Sequence, residues 1–428
     1  MRVTFPAIID PAERVPFHRV RRWRALFAYG PSIGWAAGMT SRMFLVLMAL
    51  SMALPPLRAQ VELIGTGTLP GNLRDLSNLK GKDGLGVPAN RLGGMGSAID
   101  YTGNGNTYIL ASDRGPGDGA SDYRCRVHRM EIVVKPGAME PVSIKLLSTT
   151  LLSGPGGVPL TGSKKPGPAR FDPEGIRVGP AGRFFISDEY GPVVAEFSPN
   201  GEMLRKFPLP ARFLPEKVAE SPMGELPPAS NRGRQPNRGM EGLAISADGK
   251  TLYGIMQSPL IQDGALDPTG KRVGLLCRLA AIDIRSGSSR EFAYRLDEPS
   301  HGVNEILAAG ADSFLVIERD GLGGNEAKAK KIFLANITGA TDVSGVDSLP
   351  GGNIPAEIKP MKKRILIDLL DPRYRLAGPS FPEKIEGLAF GRDLPDGRKL
   401  LLLTADNDFV AEVPFRVYAF AVPPGVLE

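Results

Sequence analysis

The sequence predicts an all-β fold, a single β-propeller of four-stranded blades, five in number. Three observations carry that expectation. Four segments open with an acidic residue on an apolar strand pattern, and a degenerate fifth copy precedes them. Two further short strand patterns, rich in Val, Ile, Leu and Phe and bounded by turn residues, fill each interval. Helical periodicity of any length is absent.

The first 59 of the 428 residues stand apart from that pattern. They hold eight arginines, no lysine and two acids, Asp10 and Glu13. The formal charge of +6 therefore belongs to this leader, and the remainder balances at 44 bases against 44 acids. No basic surface for nucleic acid is implied. Arg42, an apolar run over 43–57 and the small residue Ala59 describe a signal peptide ending before Gln60. A spanning helix needs ~20 residues, and this run is shorter; a membrane anchor or a buried helix of the fold is the alternative. Residues 1–38 read as upstream sequence, with Met39 or Met43 as the start. The expected product is a periplasmic or secreted monomer over 60–428 with no membrane span. Gly30-Pro31-Ser32-Ile33-Gly34 matches the serine-hydrolase nucleophile elbow, but it follows no strand pattern and precedes the apolar run. Cys125 and Cys277 are too few for structural zinc. In an oxidising compartment they either pair or remain two buried thiols.

The blades are read in order. The first copy, Gly94-Met95-Gly96-Ser97-Ala98-Ile99, is followed by strand patterns at 127–134 and 142–152. Asp172-Pro173-Glu174-Gly175-Ile176 opens the second, which continues at 193–197 and 203–207. Met240-Glu241-Gly242-Leu243 opens the third, with 277–284 and 290–296 behind it. Val303-Asn304-Glu305-Ile306 opens the fourth, with 331–337 and 364–369. The fifth, from Ile385-Glu386-Gly387-Leu388, supplies only three strands, the others at 400–405 and 416–422. The N-terminal run 61–69 is predicted to complete it as the outer strand, closing the ring and removing an open edge. The alternative is six or seven blades, with the extra ones inside 153–169 and 211–237. Those insertions are loaded with Gly, Pro and Ser and read as loops.

After each opening a second apolar run ends in a polar cluster. The clusters are Asp113-Arg114-Gly115, Asp188-Glu189-Tyr190-Gly191, Gln257-Ser258, Glu318-Arg319-Asp320-Gly321 and Asp406-Asn407-Asp408. Antiparallel neighbours reverse direction, so the start of the first strand and the end of the second share one edge. Glu174, Glu241, Glu305 and Glu386 are therefore expected to ring one channel mouth, with the clusters beside them. Glycine after three of the four implies close backbone approach at the axis.

Carboxylates so gathered raise one another's pKa and need relief. Bases at matching offsets offer it, and so does a hard cation; carboxylates with Asn and backbone carbonyls are the ligand set of calcium. The expected catalytic acids and bases are Glu174, Asp188, Glu189, Glu241 and Glu318. The expected anion-binding groups are Arg114, Tyr190, Arg238, His301, Arg319 and Lys384, and the expected calcium ligands are Asp113, Asp406, Asn407 and Asp408. Metal and guanidinium together suit a small anionic ester. The competing reading gives the acids to hydrogen bonds between blades, leaving a propeller that binds a ligand or a partner protein. His128, inside a strand pattern, reads as structural.

The motifs Ser112-Asp113-Arg114-Gly115, Asp172-Pro173-Glu174-Gly175-Ile176, Ile186-Ser187-Asp188-Glu189-Tyr190-Gly191, Asn237-Arg238-Gly239-Met240-Glu241-Gly242 and Ala405-Asp406-Asn407-Asp408-Phe409 resemble the phytase-like family, labelled "esterase-like activity of phytase" and common in exported bacterial proteins. Gln257-Ser258-Pro259-Leu260 and Glu318-Arg319-Asp320 fit the same pattern, and the resemblance covers roughly 61–421. It implies a propeller and hydrolysis of phosphate or other esters. The pairing of a basic cluster with a nucleophilic histidine found in acid phosphatases is not seen, so a metal route through water is the expected mechanism, with a lactonase-type propeller as a close variant.

Overall fold

The computed structural model describes residues 60–428. The signal peptide, the start residue and the Ser32 motif lie outside the described residues. Five four-stranded antiparallel sheets make up the described chain. The first holds β2 (Ala98–Tyr101), β3 (Thr107–Ala111), β4 (Arg126–Val134) and β5 (Val142–Leu151). The second holds β6 (Pro173–Val178), β7 (Phe184–Asp188), β8 (Val193–Phe197) and β9 (Met203–Phe207). The third is β10 (Met240–Ile245), β11 (Thr251–Met256), β12 (Leu276–Asp283) and β13 (Ser289–Arg295). The fourth is β14 (Gly302–Ala308), β15 (Ser313–Arg319), β16 (Lys330–Asn336) and β17 (Lys362–Asp368). The fifth combines β18 (Ile385–Phe390), β19 (Lys399–Ala405) and β20 (Phe415–Val422) with β1 (Glu62–Leu69) from the other end of the sequence.

The structure is thus a five-bladed β-propeller, and the N-terminal strand closes it. β1 pairs antiparallel with β20 from Glu62–Ala421 to Leu69–Phe415. Inner strands neighbour one another in the order β2, β6, β10, β14, β18 and back to β2. The insertions 153–169 and 211–237 hold short 3-10 turns and isolated bridges, and no further blade. The main apolar cores lie between adjacent sheets, with a smaller one between the third sheet and the loop carrying Val343 and Leu349. Ile109, Ile176 and Phe184 meet between the first two blades, and Leu315, Leu403 and Phe420 between the last two. An alternating strand with one face on each neighbour buries both faces this way, so stability is shared around the ring.

The axis is tight where the glycines predicted it. A Cβ on Gly175 would lie 2.5 Å from Leu243 N, one on Gly242 2.8 Å from Glu305 Cα, and one on Gly387 3.1 Å from Ile99 Cγ2. For Gly175 and Gly242 the obstacle is the inner strand of the next blade; Gly387 also meets Thr404 Oγ1 of its own blade, more closely still. Cys125 and Cys277 settle the open alternative, since both are buried and free, in the first and third blades.

Candidate functional site

At one end of the ring the same backbone clasp recurs in four blades. The N–H of Asp113 donates to Gly94 O (3.0 Å), that of Glu189 to Asp172 O (3.0 Å), that of Gln257 to Gly239 O (2.8 Å) and that of Asp406 to Lys384 O (2.9 Å). Each bond draws the residue after a second strand onto the approach to the inner strand. The inner strands are also bulged here. The register skips Glu241 in the third blade, Glu174-Gly175 in the second and Glu386-Gly387 in the fifth. Bulges re-aim side chains, and these sit at the channel mouth. Glu174, Glu241 and Glu386 line one cavity of about 220 Å³ together with Asp113, Arg114, Glu189, Arg238, Arg319 and Lys384. Pro236 is the one apolar side chain in that lining.

Several expected site residues lie elsewhere, and pleat parity is the reason. In the fourth blade the bulged residue is Asn304, so Glu305 occupies the glycine position of the other blades. Its side chain goes to the axis. There Arg177 contacts Glu305 Oε2 at 3.0 Å and donates to Ile99 O (3.0 Å) and Ile306 O (2.8 Å), while Leu243 N donates to Glu305 Oε1 (3.0 Å). This buried pair ties four blades together and plugs the channel, so Glu305 is not part of a four-glutamate ring at the mouth. Asp188 and Glu318 each pair with the residue before the bulge, Pro173 and Val303. The next residues, Glu189 and Arg319, face the cavity; alternation sends Asp188 and Glu318 the other way. Asp188 Oδ1 accepts from the N–H groups of Asp172 and Tyr190, shaping the loop. Glu318 accepts from Tyr294 Oη (2.9 Å), Asp297 N (2.7 Å), Lys363 Nζ (2.6 Å) and His301 Nδ1 (2.9 Å). Burial opposes its charge, but His301 and Lys363 outweigh burial and hold its pKa below the ordinary value. So saturated a carboxylate has no lone pair left for a reaction.

Tyr190 and His301 also miss the cavity. The Tyr190 hydroxyl donates to Gly162 O (2.7 Å) and its ring stacks under Arg170 in a neighbouring pocket of about 270 Å³. The Asn407 amide is committed at both ends, accepting from Gly94 N (3.2 Å) and donating to Val413 O (3.1 Å). His128 sits between Ser112 Oγ and Thr149 Oγ1, and burial lowers its pKa to about 3, as befits a neutral structural imidazole.

Carboxylates in and around the mouth converge in two groups. Asp113, Asp406 and Asp408 place one oxygen each within 4.8 Å of one another, and so do Asp172, Glu174 and Glu189. The first group contains its own cation. Lys384 Nζ lies 2.9 Å from Asp408 Oδ1. Burial works against that ammonium, yet Glu386, Asp113 and Asp406 outweigh it and hold its pKa well above the usual value. The loop carrying this group is strained, with Asp408 and Phe409 both at positive φ (50° and 58°). The Phe409 ring is held over Gly93 and Gly94 and edge-on to Tyr123, which over-determines the strain.

The second group also has one cation, but not every carboxyl in it has a partner. Arg114 bridges Asp172 (2.6 Å) and Glu189 (2.7 Å). Burial opposes the Glu189 charge, but Arg114 together with the neighbouring carboxyls of Asp172 and Glu241 and the charge of Arg234 outweighs it and lowers the pKa to about 2. Burial raises Asp172 to about 8. Glu174 has no hydrogen bond or ion pair among the described residues, though it is only 8% exposed. Burial, then the Glu241 and Asp172 carboxylates, push its pKa well up; burial and Glu189 do the same to Glu241. Asp172 Oδ1 is buried with no hydrogen-bond partner. One guanidinium thus faces four carboxyls, and an orphaned acceptor and an unpaired carboxyl point inward. An oxygen set of this kind fits a hard divalent cation.

Three residues of the mouth escaped the sequence reading. Asp172 stood inside a quoted motif, two places before Glu174, and that was the available signal. Arg272 and Glu383 also line the cavity. Arg272 arrives from the turn after Asp267 in an insertion with no repeat, so no pattern marked it.

Comparison with solved structures finds distant likenesses. A GH43 β-1,3-galactosidase is 11% identical with a TM-score of 0.40, over 80% of this chain and 94% of that one. A gluconolactonase from Xanthomonas campestris is 10% identical at 0.33, over 76% and 85%. Regucalcin, a calcium-binding protein from Agrobacterium tumefaciens, is 13% identical at 0.33, over 77% and 92%. None of these overlaps bears on chemistry. A curated relative, an uncharacterized secreted protein from the fungus Arthroderma benhamiae, is 29% identical over 344 residues, which is 62% of this chain and 64% of the relative. The chain thus spans under two thirds of that relative's length. The family model described as "Phytase-like: Esterase-like activity of phytase" matches residues 90–409, from just before the first inner strand to the Phe409 of the strained loop, and the chain belongs to that family.

Proposed function

We propose that the mouth is the active site of an exported, cation-assisted hydrolase of phosphate or related anionic esters. The observation that carries this is Glu174, a buried carboxyl without a partner, aimed into a polar cavity beside Asp172, Glu189 and Glu241. Asp172, Glu174 and Glu189 would hold the cation, of the calcium class. When bound it would polarise the ester oxygen and lower the pKa of a water. Arg114 fixes Asp172 and Glu189 in place and keeps Glu189 ionised. Burial, then the neighbouring Glu189 charge, raise the Glu241 pKa well above the usual carboxylate range, which suits a general acid toward the leaving oxygen. Arg319, steadied by Glu386 at 2.8 Å, faces the same space and is placed to orient the anion.

The alternative of a purely binding propeller would have the carboxylates consumed by structural hydrogen bonds. Glu305 is so consumed between blades and Asp188 within its own loop, whereas Glu174 is not. Export is supported by the leader composition and by the description of the fungal relative as secreted. The test is a hydrolysis screen of phosphomonoesters, carboxyl esters and lactones with and without chelator. Turnover that chelation abolishes and calcium restores is expected. Turnover indifferent to chelation removes the cation from the mechanism, and silence in every class favours the binding propeller.

A further inference from the structure

Beside the mouth lies the second pocket, of about 270 Å³, and one of its walls is a guanidinium without a hydrogen bond. The Arg170 side chain is only 8% exposed. Its Nε is buried with no partner, and none of its other side-chain N–H groups bonds to the protein among the described residues. Its position is nevertheless fixed. It stacks at 4.2 Å over the Tyr190 ring, whose hydroxyl is itself tied to Gly162 O. Glu225 approaches it to 3.5 Å, but that carboxylate is already spent. Oε2 accepts from Arg234 Nη1 (2.6 Å) and Oε1 from Ala219 N (3.0 Å). Arg234 is buried and also donates to Tyr190 O at 2.8 Å, so the fixed parts of the pocket brace one another. Buried donors are rarely left unmet, and a held guanidinium facing a cavity with nothing to donate to is short of an acceptor.

We infer that this pocket is a carboxylate-binding site anchored by Arg170, so that the ester taken by the adjoining mouth carries a free carboxylate at one end. The site itself stands on the unmet guanidinium; only the word ester rests on the hydrolase reading. Stacking covers the face of Arg170 and leaves its edge, where two parallel N–H groups match the two oxygens of a carboxylate. Charge sets the limit at one negative. Arg234 and Glu225 pair with each other, and Asp118 pairs with Arg114 at 3.2 Å. Arg170, Lys164 and Glu220 remain in the lining, two cations against one acid, and a monoanion balances that surplus. The volume is that of about nine waters, which bounds the ligand part to a small acid. Pocket and mouth share a wall. Pro236 and Asn237 line both, in a tight turn closed by Arg238 N–H donating to Gln235 O (3.2 Å). Arg114 likewise serves both sides, donating through Nη1 to Asp172 and Glu189 in the mouth group and through Nη2 to Asp118 in the pocket.

The experiment is ligand-observed NMR titration of the full chain with benzoate in the presence of chelator, with benzyl alcohol as the uncharged counterpart. Wild type is expected to bind benzoate and not benzyl alcohol. Arg170→Gln should weaken benzoate about tenfold or more, and Arg170→Lys, which keeps the charge but loses the fork, should do the same. Benzoate affinity unaltered in both variants, or no benzoate binding by wild type, overturns the site. Binding lost in Arg319→Gln but kept in Arg170→Gln would put the anion in the mouth and overturn it equally. For any ester that is turned over, a carboxylate on the alcohol or acid part should lower KM about tenfold against its uncharged counterpart, an advantage that Arg170→Gln erases. No such advantage in wild type overturns the substrate half of the inference while leaving the hydrolase reading intact. Benzoate binding that needs Arg170 but accompanies no turnover of any ester upholds the site and removes the hydrolase.

Discussion

Two acidic clusters sit in and beside one mouth, alike in carboxylate count and in facing one paired cation each, but unlike in how their oxygens are satisfied. Asp113, Asp406 and Asp408 accept from the N–H groups of Gly115, Gly96 and Asp408 and from Lys384, whereas Glu174 accepts from nothing among the described residues. Lys384 pairs with Asp408, and Glu386, Asp113 and Asp406 nearby hold its ammonium ionised against burial. Asp172, Glu174 and Glu189 have Arg114 on their outer side and leave Glu174 unpaired. Lys384 offsets part of the first group's charge, although burial still raises Asp113 well above its ordinary value and Asp406 to about 6. The second group, with Glu241 pressed against it, is stable only with protons or a cation added. Counting carboxylates does not separate the two groups; counting the donors that already satisfy their oxygens does.

The comparison breaks most visibly at Glu174. Glu174→Gln should lower kcat/KM for the best ester by about 100-fold or more, and it should raise the melting temperature in chelator, because an uncompensated buried carboxyl is removed. Asp408→Asn, on the other cluster, should do neither, and steady-state kinetics with thermal unfolding of both variants decides the point. Lys384→Gln sharpens the contrast further. Without its ammonium the first cluster has no paired cation and a free Asp408 oxygen, so equilibrium dialysis should find two bound calcium ions per chain in this variant against one in wild type.

The plug below the mouth gives a prediction in pH. Burial raises Glu305 to about 7, with Arg177 opposing. A carboxyl whose folded pKa lies above its unfolded one binds more protons when folded. Its stabilising contribution is therefore full below about pH 4.5 and is lost as pH rises toward 7, a change on the order of 3 kcal/mol. Denaturant unfolding across that range should show the slope in wild type and its loss in Glu305→Gln. Smaller still is the effect at Glu318. Glu318→Gln should cost about 2 kcal/mol of stability through its buried hydrogen bonds and leave turnover by the folded enzyme unchanged, as chemical denaturation and kinetics would show.

That last pair of outcomes bears on what the sequence could reveal. Strand patterns such as 193–197, 203–207 and 385–390 coincide with β8, β9 and β18, because alternating apolar residues between turns have one way to bury two faces. The role of β1 followed from arithmetic, since a three-stranded last blade needs a fourth member. Which of two adjacent polar residues faces the mouth did not follow. Asp188 and Glu189, Glu318 and Arg319, Asn304 and Glu305 differ by one position, and one position inverts a side chain on a pleated strand. Aligning the openings on their glycines instead of their glutamates would have set Glu305 beside Gly242 and Gly387 and predicted the plug. The Lys384–Asp408 pair joins two loops whose charges look equally free in one dimension, and no spacing rule marks their meeting.

The claim on which the account stands is that the cluster around Glu174 takes a divalent cation and its neighbour does not. Calcium titrated calorimetrically into chelator-stripped protein tests it directly. One site per chain, abolished by Glu174→Gln and retained in Asp408→Asn, is the predicted result. Calcium binding that survives Glu174→Gln and disappears in Asp408→Asn would contradict it.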